Sequence, residues 1–330
     1  MTDNAEMLDK LDMAFKGVTV STLNQSVLQP QYFNQFVQEA IRATVLLEDA
    51  RLMEMDSQKL NIDRTGFVGR ILQPATEAVA ADPAKESVPA FHQNQLVAGE
   101  LLAETGITDQ SLRRNIEKGD FQNTLISMFS ANVGCDLEVF ALFSNPASTV
   151  YTAGSVLLQG TGGWLKKAAS SQIFYGSGAG KDFDGTNIEV TLQYLLTQYP
   201  KQYMKNKADL VFYVPWALYD AYINAIIARV GNMADTALTG DFTPAYKGIP
   251  VKYASVLDDA EGNASWGQVV ILVNPDNLVY GIFEKVTIEP YRLPRERKTS
   301  FILTLETDQH MENENVICIG LTSKVKGSAF

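Results

Sequence analysis

Apolar positions recur along the chain with two different spacings, and the changes between them mark its elements. Residues 1–30 keep no sustained apolar period; Asn24, Gln25 and Ser26, followed by Gln29 and Pro30, read as an extended arm. From 31 to 55 the spacing of Phe33, Phe36, Val37, Ala40 and Ile41 predicts a helix. Over residues 59–73 it shortens to two, with Leu60, Ile62, Phe67, Val68, Ile71 and Leu72, which predicts a strand. The run 74–88, PATEAVAADPAKESV, is small, polar and charged and cannot build a core. Residues 91–103 read as a second extended run. Two strands of about 14 residues with a polar tip would make a ribbon roughly 45 Å long at ~3.3 Å per residue. A lone two-stranded ribbon is marginal in water, so it needs a sheet of its own chain or a neighbouring subunit to lie on.

Residues 108–144 return to helical spacing. Asp109 can cap a short helix through Leu112 and Ile116, and Asp120 can cap a long one. Phe121, Leu125, Phe129, Val133, Leu137, Phe140 and Ala141 line its stripe, and Asn145-Pro146 stops it. Residues 146–185 are loop-rich. Thr186 with Glu189 forms a capping box for a helix buried through Ile188, Leu192, Leu195, Leu196 and Tyr199. Residues 209–214 read as a strand. Pro215 then opens a helix whose face is Trp216, Tyr219, Tyr222, Ile223, Ile226, Ile227 and Val230, with Gly231 as its C-terminal cap. Beyond 249 the chain is β-rich. Strands are expected at 249–255, 268–273, 278–282, 285–291, 299–308 and 316–324, with turns at 261–263, 274–276 and Pro294.

Composition narrows the chemistry. The 330 residues hold 27 Lys+Arg against 38 Asp+Glu, a net charge of -11, with 46% hydrophobic and 20% charged residues. That is a globular balance of about two domains. No apolar run reaches the ~20 residues of a membrane span, and residues 1–10 have no apolar signal core. An acidic chain grips nucleic-acid phosphates poorly. Cys135 and Cys318 stand far apart in apolar contexts and read as small buried thiols. With only His92 and His310, a His-rich zinc site is excluded.

Several strings imitate chemistry. YGSGAGK at 175–181 lacks the first Gly and the final Ser or Thr of a phosphate loop. Asp182 and Asp184 begin a calcium-like run, but Asn187 and Gln193 stand where Gly and Glu are needed. Asp258, Asp259 and Glu261 read as a solvated hairpin tip. Arg292, Arg295, Arg297 and Lys298, broken by Glu296, form a basic knot. It could meet DNA phosphates or the acidic surface of a partner subunit, and the acidic whole favours the partner. The residues therefore give an α+β protein without a recognisable active site, cofactor or metal set, whose protrusions suit an assembly.

The order of these elements, together with several strings, resembles the major capsid proteins of tailed double-stranded DNA bacteriophages, the HK97-type fold family. The strings are ETGITDQSLRRNIE at 104–117 with DFQNT at 120–124, CDLE at 135–138 with FSN at 143–145, and GWLK at 163–166. YKGIPV at 246–251, NPDNL at 274–278 and PYRLPRER at 290–297 follow in the family's order. The resemblance spans residues 35–325. It implies an N-terminal arm (1–30), an N-terminal helix (31–55), an extended E-loop hairpin (56–105), a P domain with a long spine helix (106–164), an A domain (165–270) and return strands mainly in the P domain (271–330). It further implies a non-enzymatic subunit that self-assembles into pentamers and hexamers of an icosahedral virion capsid. That shell would be built in the host bacterial cytoplasm around double-stranded DNA, which it encloses without sequence-specific binding and without a membrane. Portal and scaffolding proteins, with decoration proteins besides, are the partners expected. The short N-terminal segment suggests a separate scaffolding protein or none. Subunit-interface residues would be Pro74, Glu77, Asp82, Lys85 and Glu86 of the loop, with Arg292, Arg295 and Arg297 of the basic knot. Lys85 would be the donor of an isopeptide cross-link of the kind some members form, but a polar tip holds a lysine by chance and the expectation is against the bond. The alternatives are an encapsulin-like nanocompartment shell, an enzyme using carboxylates such as Asp182, Asp184 and Glu189, and a tail or surface adhesin.

Overall fold

Residues 44–67, 72, 88–110, 121–148, 156–175, 188–204, 207–229 and 244–322 are described by the computed structural model of the chain. They fall into two compact units. Of the described residues, one holds those at 44, within 100–136 and within 284–306, and the other those within 45–99, 137–283 and 307–322.

The second unit is built on a six-stranded mixed sheet. Its strands are β5 (Ile173–Tyr175), β6 (Val211–Val214), β7 (Ala245–Tyr246), β8 (Ile249–Tyr253), β9 (Val269–Val273) and β12 (Ile317–Leu321), in the order β5-β12-β9-β6-β8-β7. β6, β9 and β12 are buried along their whole length, which is why they read as unbroken apolar runs. One side of the sheet carries Phe212, Val214, Val270, Leu272 and Cys318. Helices α4 (Ile188–Gln198) and α5 (Trp216–Arg229) cover it with Ile188, Leu192, Leu195, Leu218 and Tyr222. The α4 stripe is the expected one. In α5, however, Leu218 is fully buried while Trp216, assigned to the buried face, is exposed. The capping-box Thr186 and the cap Gly231 lie outside the described residues.

Helix α1 (Val45–Asp49) meets the opposite side of this sheet: the Tyr213 hydroxyl donates to Asp49, which also holds Lys252. The helix read through residue 55 stops at Asp49. Residues Arg51–Glu54 form β1, parallel to β10 (Leu278–Leu293) with Arg51 opposite Val279. Sheet pairing overrides the weak helical spacing of this short stretch. The long helix α2 (Phe121–Phe143) is present, and its chain leaves the helix at Asn145-Pro146 as expected. Trp164, in the short helix α3 (Trp164–Lys167), is buried and its indole donates to the carbonyls of Val279 and His310.

A four-stranded sheet has the order β1-β10-β11-β4. β10 (Leu278–Leu293) is one strand of 16 residues where the sequence suggested two, and β11 (Lys298–Met311) is nearly as long. Both, with β4 (Gly99–Thr108), run through both units. The expected hairpin tip at 261–263 is instead helix α6 (Ala260–Trp266). Asp259 caps it by accepting from the Gly262 N–H at 2.7 Å, and Asp258 accepts from the Trp216 N–H. Gly262 is buried against the Phe143 ring, with no room for a Cβ. Two acids that look like a solvated tip are helix caps. Cys318 is buried as expected; Cys135, read as buried, is exposed on α2.

Candidate functional site

β2 (Lys59–Phe67) and β3 (Pro89–Val97) form a two-stranded antiparallel ribbon in full register, from Lys59 opposite Val97 to Phe67 opposite Pro89. The paired part is nine residues per strand, roughly 30 Å at ~3.3 Å per residue, shorter than the sequence suggested. The second extended run is two strands, because Ala98 ends the ribbon and β4 enters the larger sheet.

Residues directly opposite one another share a face. One face carries Leu60, Ile62 and Leu96, which join Met55 and Val279 in a small apolar cluster at the ribbon's root. Leu96 leaves no space over Gly281: a Cβ there would lie 2.7 Å from the Met55 sulfur and 3.1 Å from Leu96. Polar bonds fasten the same root. Asp308 of β11 accepts from the Val97 N–H at 2.8 Å and from Lys167 Nζ at 3.0 Å. Lys167 also donates to the Gln309 carbonyl. Asn94 donates to the carbonyl of Met311 at 2.9 Å. Burial pushes the Lys167 ammonium below its ordinary range, and the adjacent Asp308 opposes the shift. Arg51 pairs with Glu312 at 3.2 Å on the surface. Sequence reasoning missed Asp308, Lys167 and Asn94, since single polar residues in strands or short helices carry no spacing signal.

Among the described residues the other face is left uncovered. Gln93 donates to Asp63 at 2.9 Å and Gln95 to Asn61 at 3.0 Å, a ladder of side chains across the strands. Toward the tip the ladder gives way to Phe91, opposite Thr65, and Phe67, opposite Pro89; the phenyl groups are 76% and 56% exposed. Both rings stand open on a face whose polar groups are already ordered, and exposed aromatics of this kind are the feature by which interaction surfaces are recognised. Pro74, Glu77, Asp82, Lys85 and Glu86 lie beyond this point, outside the described residues.

The basic knot is the turn joining β10 to β11. Arg292, Arg295 and Arg297 are all exposed, and Arg297 adopts a left-handed φ of 49°. Arg292 and Arg297 line one cleft, Arg295 is not among its lining residues, and Arg292 pairs with an acid of its own chain, Asp109, at 3.2 Å. The Asp109 N–H also donates to the Arg297 carbonyl at 2.8 Å. A cleft of about 770 Å³ opens here, lined by Thr108, Asp109, Gln110, Arg292, Pro294, Glu296 and Arg297.

Another buried acid stands elsewhere. Glu138 of α2 accepts from the Leu46 and Leu47 N–H groups at the start of α1. Burial raises its pKa to about 6, against the two N–H bonds, which lower it. Glu189 lies in the first turn of α4, while Asp182 and Asp184 lie outside the described residues. Among the described residues no group of three or more His, Cys, Asp or Glu could hold a metal ion, and no helix is long and apolar enough to cross a membrane.

No protein-family model matches the sequence. The chain is 28% identical over 322 residues to YqbE of Bacillus subtilis (strain 168), provisionally named a prophage capsid protein; the match covers 95% of this chain and 97% of that one. Among solved structures it is similar to the satellite phage P4 procapsid with its size determination protein, at TM-score 0.56 and 12% identity, covering 88% of this chain and 99% of that chain. The capsid of an empty GTA particle gives TM-score 0.56 at 14% identity, over 86% and 90%. The capsid of the Myoviridae phage XM1 gives 0.56 at 11%, over 83% and 90%. The fold is the HK97-type fold of tailed-phage capsid subunits.

Proposed function

We infer that this chain is a major capsid protein of a tailed double-stranded DNA bacteriophage, a structural subunit that assembles with copies of itself into the virion shell. The observation that carries the reading is similarity along nearly the whole length to a protein named for a prophage capsid, joined to a capsid fold. The same relative favours a phage shell over an encapsulin-like compartment, which would share the fold.

In this reading residues 56–105 are the E-loop, and its ribbon covers a neighbouring subunit. The root bonds fix the ribbon's direction, so little ordering remains to be done on docking. Burying Phe67 and Phe91 against a neighbour contributes about 2 kcal/mol each. Summed around pentamers and hexamers, contacts of this kind reach the more than ~2,000 Å² of obligate interfaces. The loop residues Pro74, Glu77, Asp82, Lys85 and Glu86 and the exposed Arg295 and Arg297 are the further contacts proposed. The 106–164 segment would be the P domain with α2 as its spine helix, and 165–270 the A domain. Portal, scaffolding and decoration proteins belong to the same proposal, as does assembly in the bacterial cytoplasm. The net charge of -11 suits a container whose duplex must move in and out without adhering to the wall.

The test is the double variant Phe67→Ser/Phe91→Ser. Its two sites are exposed, so the isolated subunit should keep its urea midpoint while the yield of closed particles collapses. Unchanged particle yield would refute the ribbon's role.

A further inference from the structure

Four buried oxygens gathered in the second unit make no hydrogen bond among the described residues. They are the Tyr280 hydroxyl of β10, Thr307 Oγ1 and Gln309 Oε1 of β11, and Thr161 Oγ1 of the loop before α3. Tyr280 is 2% exposed, and Thr307 and Gln309 are fully buried. The four converge on one place. β10 and β11 are neighbours in their sheet. Thr307 and Gln309 stand two apart on β11, which puts them on one face, with Asp308, the ribbon's anchor, on the other. The Thr307 hydroxyl neighbours the Tyr280 phenol but falls short of hydrogen-bonding geometry. The Gln309 amide donates to the Gly162 carbonyl at 3.2 Å, which brings its carboxamide to the residue next to Thr161. Thr161 and Thr307 also meet over Gly99: a Cβ there would lie 3.3 Å from the Thr161 methyl and 4.0 Å from the Thr307 carbonyl.

Buried polar groups in folded proteins are nearly always paired, with the chain or with ordered water. Left without a partner, each of these oxygens would carry the full cost of its lost hydration. The chemistry of the set defines what fits it. None of the four groups is charged. The three hydroxyls can each donate and accept, and Gln309 Oε1 accepts only. Their complement is a small neutral molecule that both donates and accepts. A buried water makes about three hydrogen bonds and at most four, so one or two waters suffice for the whole set.

We propose that Tyr280, Thr307, Gln309 and Thr161 form a binding site for structural water, one or two molecules that bridge β10 and β11 to the loop leading into α3. β11 is then held by polar bonds on both faces. Asp308 fastens the ribbon's root on one side, and the bridged oxygens fasten the 161–162 loop on the other.

The sign of two substitutions tests it. Tyr280→Phe and Thr307→Val each remove a hydroxyl and keep the shape of the side chain. A hydroxyl that binds a buried water loses that bond and leaves the water short of a partner, whereas an unpaired hydroxyl is relieved of a penalty. In urea titrations of the full-length subunit each variant should therefore lower the folding equilibrium constant by about fivefold. The double variant should lower it by less than the product of the two, because both act on the same water. A rise, or no change, in both single variants would overturn the proposal. A high-resolution map of the parent protein should also show water about 2.8 Å from the Tyr280 and Thr307 hydroxyl oxygens. Those hydroxyls bonded directly to each other, with no water between them and the Gln309 and Thr161 oxygens, would overturn it even if both variants were destabilised.

Discussion

Glu138 is 3% exposed and holds its proton about 1.5 pH units longer in the folded chain, at about 6 against an ordinary 4.5. Between those values the folded state binds more protons than the unfolded state, so this group's contribution to stability falls as pH rises, by about 2 kcal/mol in all. Glu138→Gln keeps an acceptor for the Leu46 N–H and removes the charge. It should therefore match the parent below pH 4.5 and exceed it by about 2 kcal/mol above pH 6.5 in urea titrations of the isolated subunit. An equal pH dependence in both proteins would contradict the assignment. Asp308 anchors the ribbon's root through its partners, Lys167 and the Val97 N–H. Asp308→Ala strands the largely buried Lys167 ammonium and the Val97 N–H, at a cost of about 3 kcal/mol, and amide exchange at Val97 should accelerate. Adding Lys167→Met should recover part of that loss. No recovery would mean that the pair is not the anchor.

At the scale of elements, the ribbon is attached firmly at one end and, among the described residues, bare along one face. Deleting residues 75–87 should leave the subunit's thermal midpoint unchanged and weaken assembly, measured as particle yield; full-sized particles of normal stability would count against the account. α6 depends on a close approach. Gly262→Ala would place a methyl 2.5 Å from the Phe143 ring and should cost about 1–3 kcal/mol in chemical denaturation. The long helix and the buried strands were legible in the sequence because their spacing is set by burial: Ile188, Leu192 and Leu195 mark α4 as plainly as the unbroken apolar β9 marks a covered strand. α6 was not legible, since Asp258, Asp259 and Gly262 have the composition of a turn and only Phe143, 119 positions away, makes Gly262 a packing glycine. β1 was missed because four residues carry little period of their own and take their conformation from β10. At the candidate site, Phe67 and Phe91 were visible as strand residues, but their exposure depends on which ribbon face the Leu60, Ile62 and Leu96 cluster selects.

At the scale of the whole molecule, the described residues offer a bare ribbon face, a free sheet edge and a basic turn on a chain that is acidic overall. Each contact they suggest is modest, and a shell sums many of them. The measurement that tests this most directly is sedimentation velocity of the purified protein across protein and salt concentration, with negative-stain microscopy of the fastest boundary. The account predicts pentamers, hexamers or closed icosahedral particles. A species no larger than a dimer at every concentration and salt would contradict it.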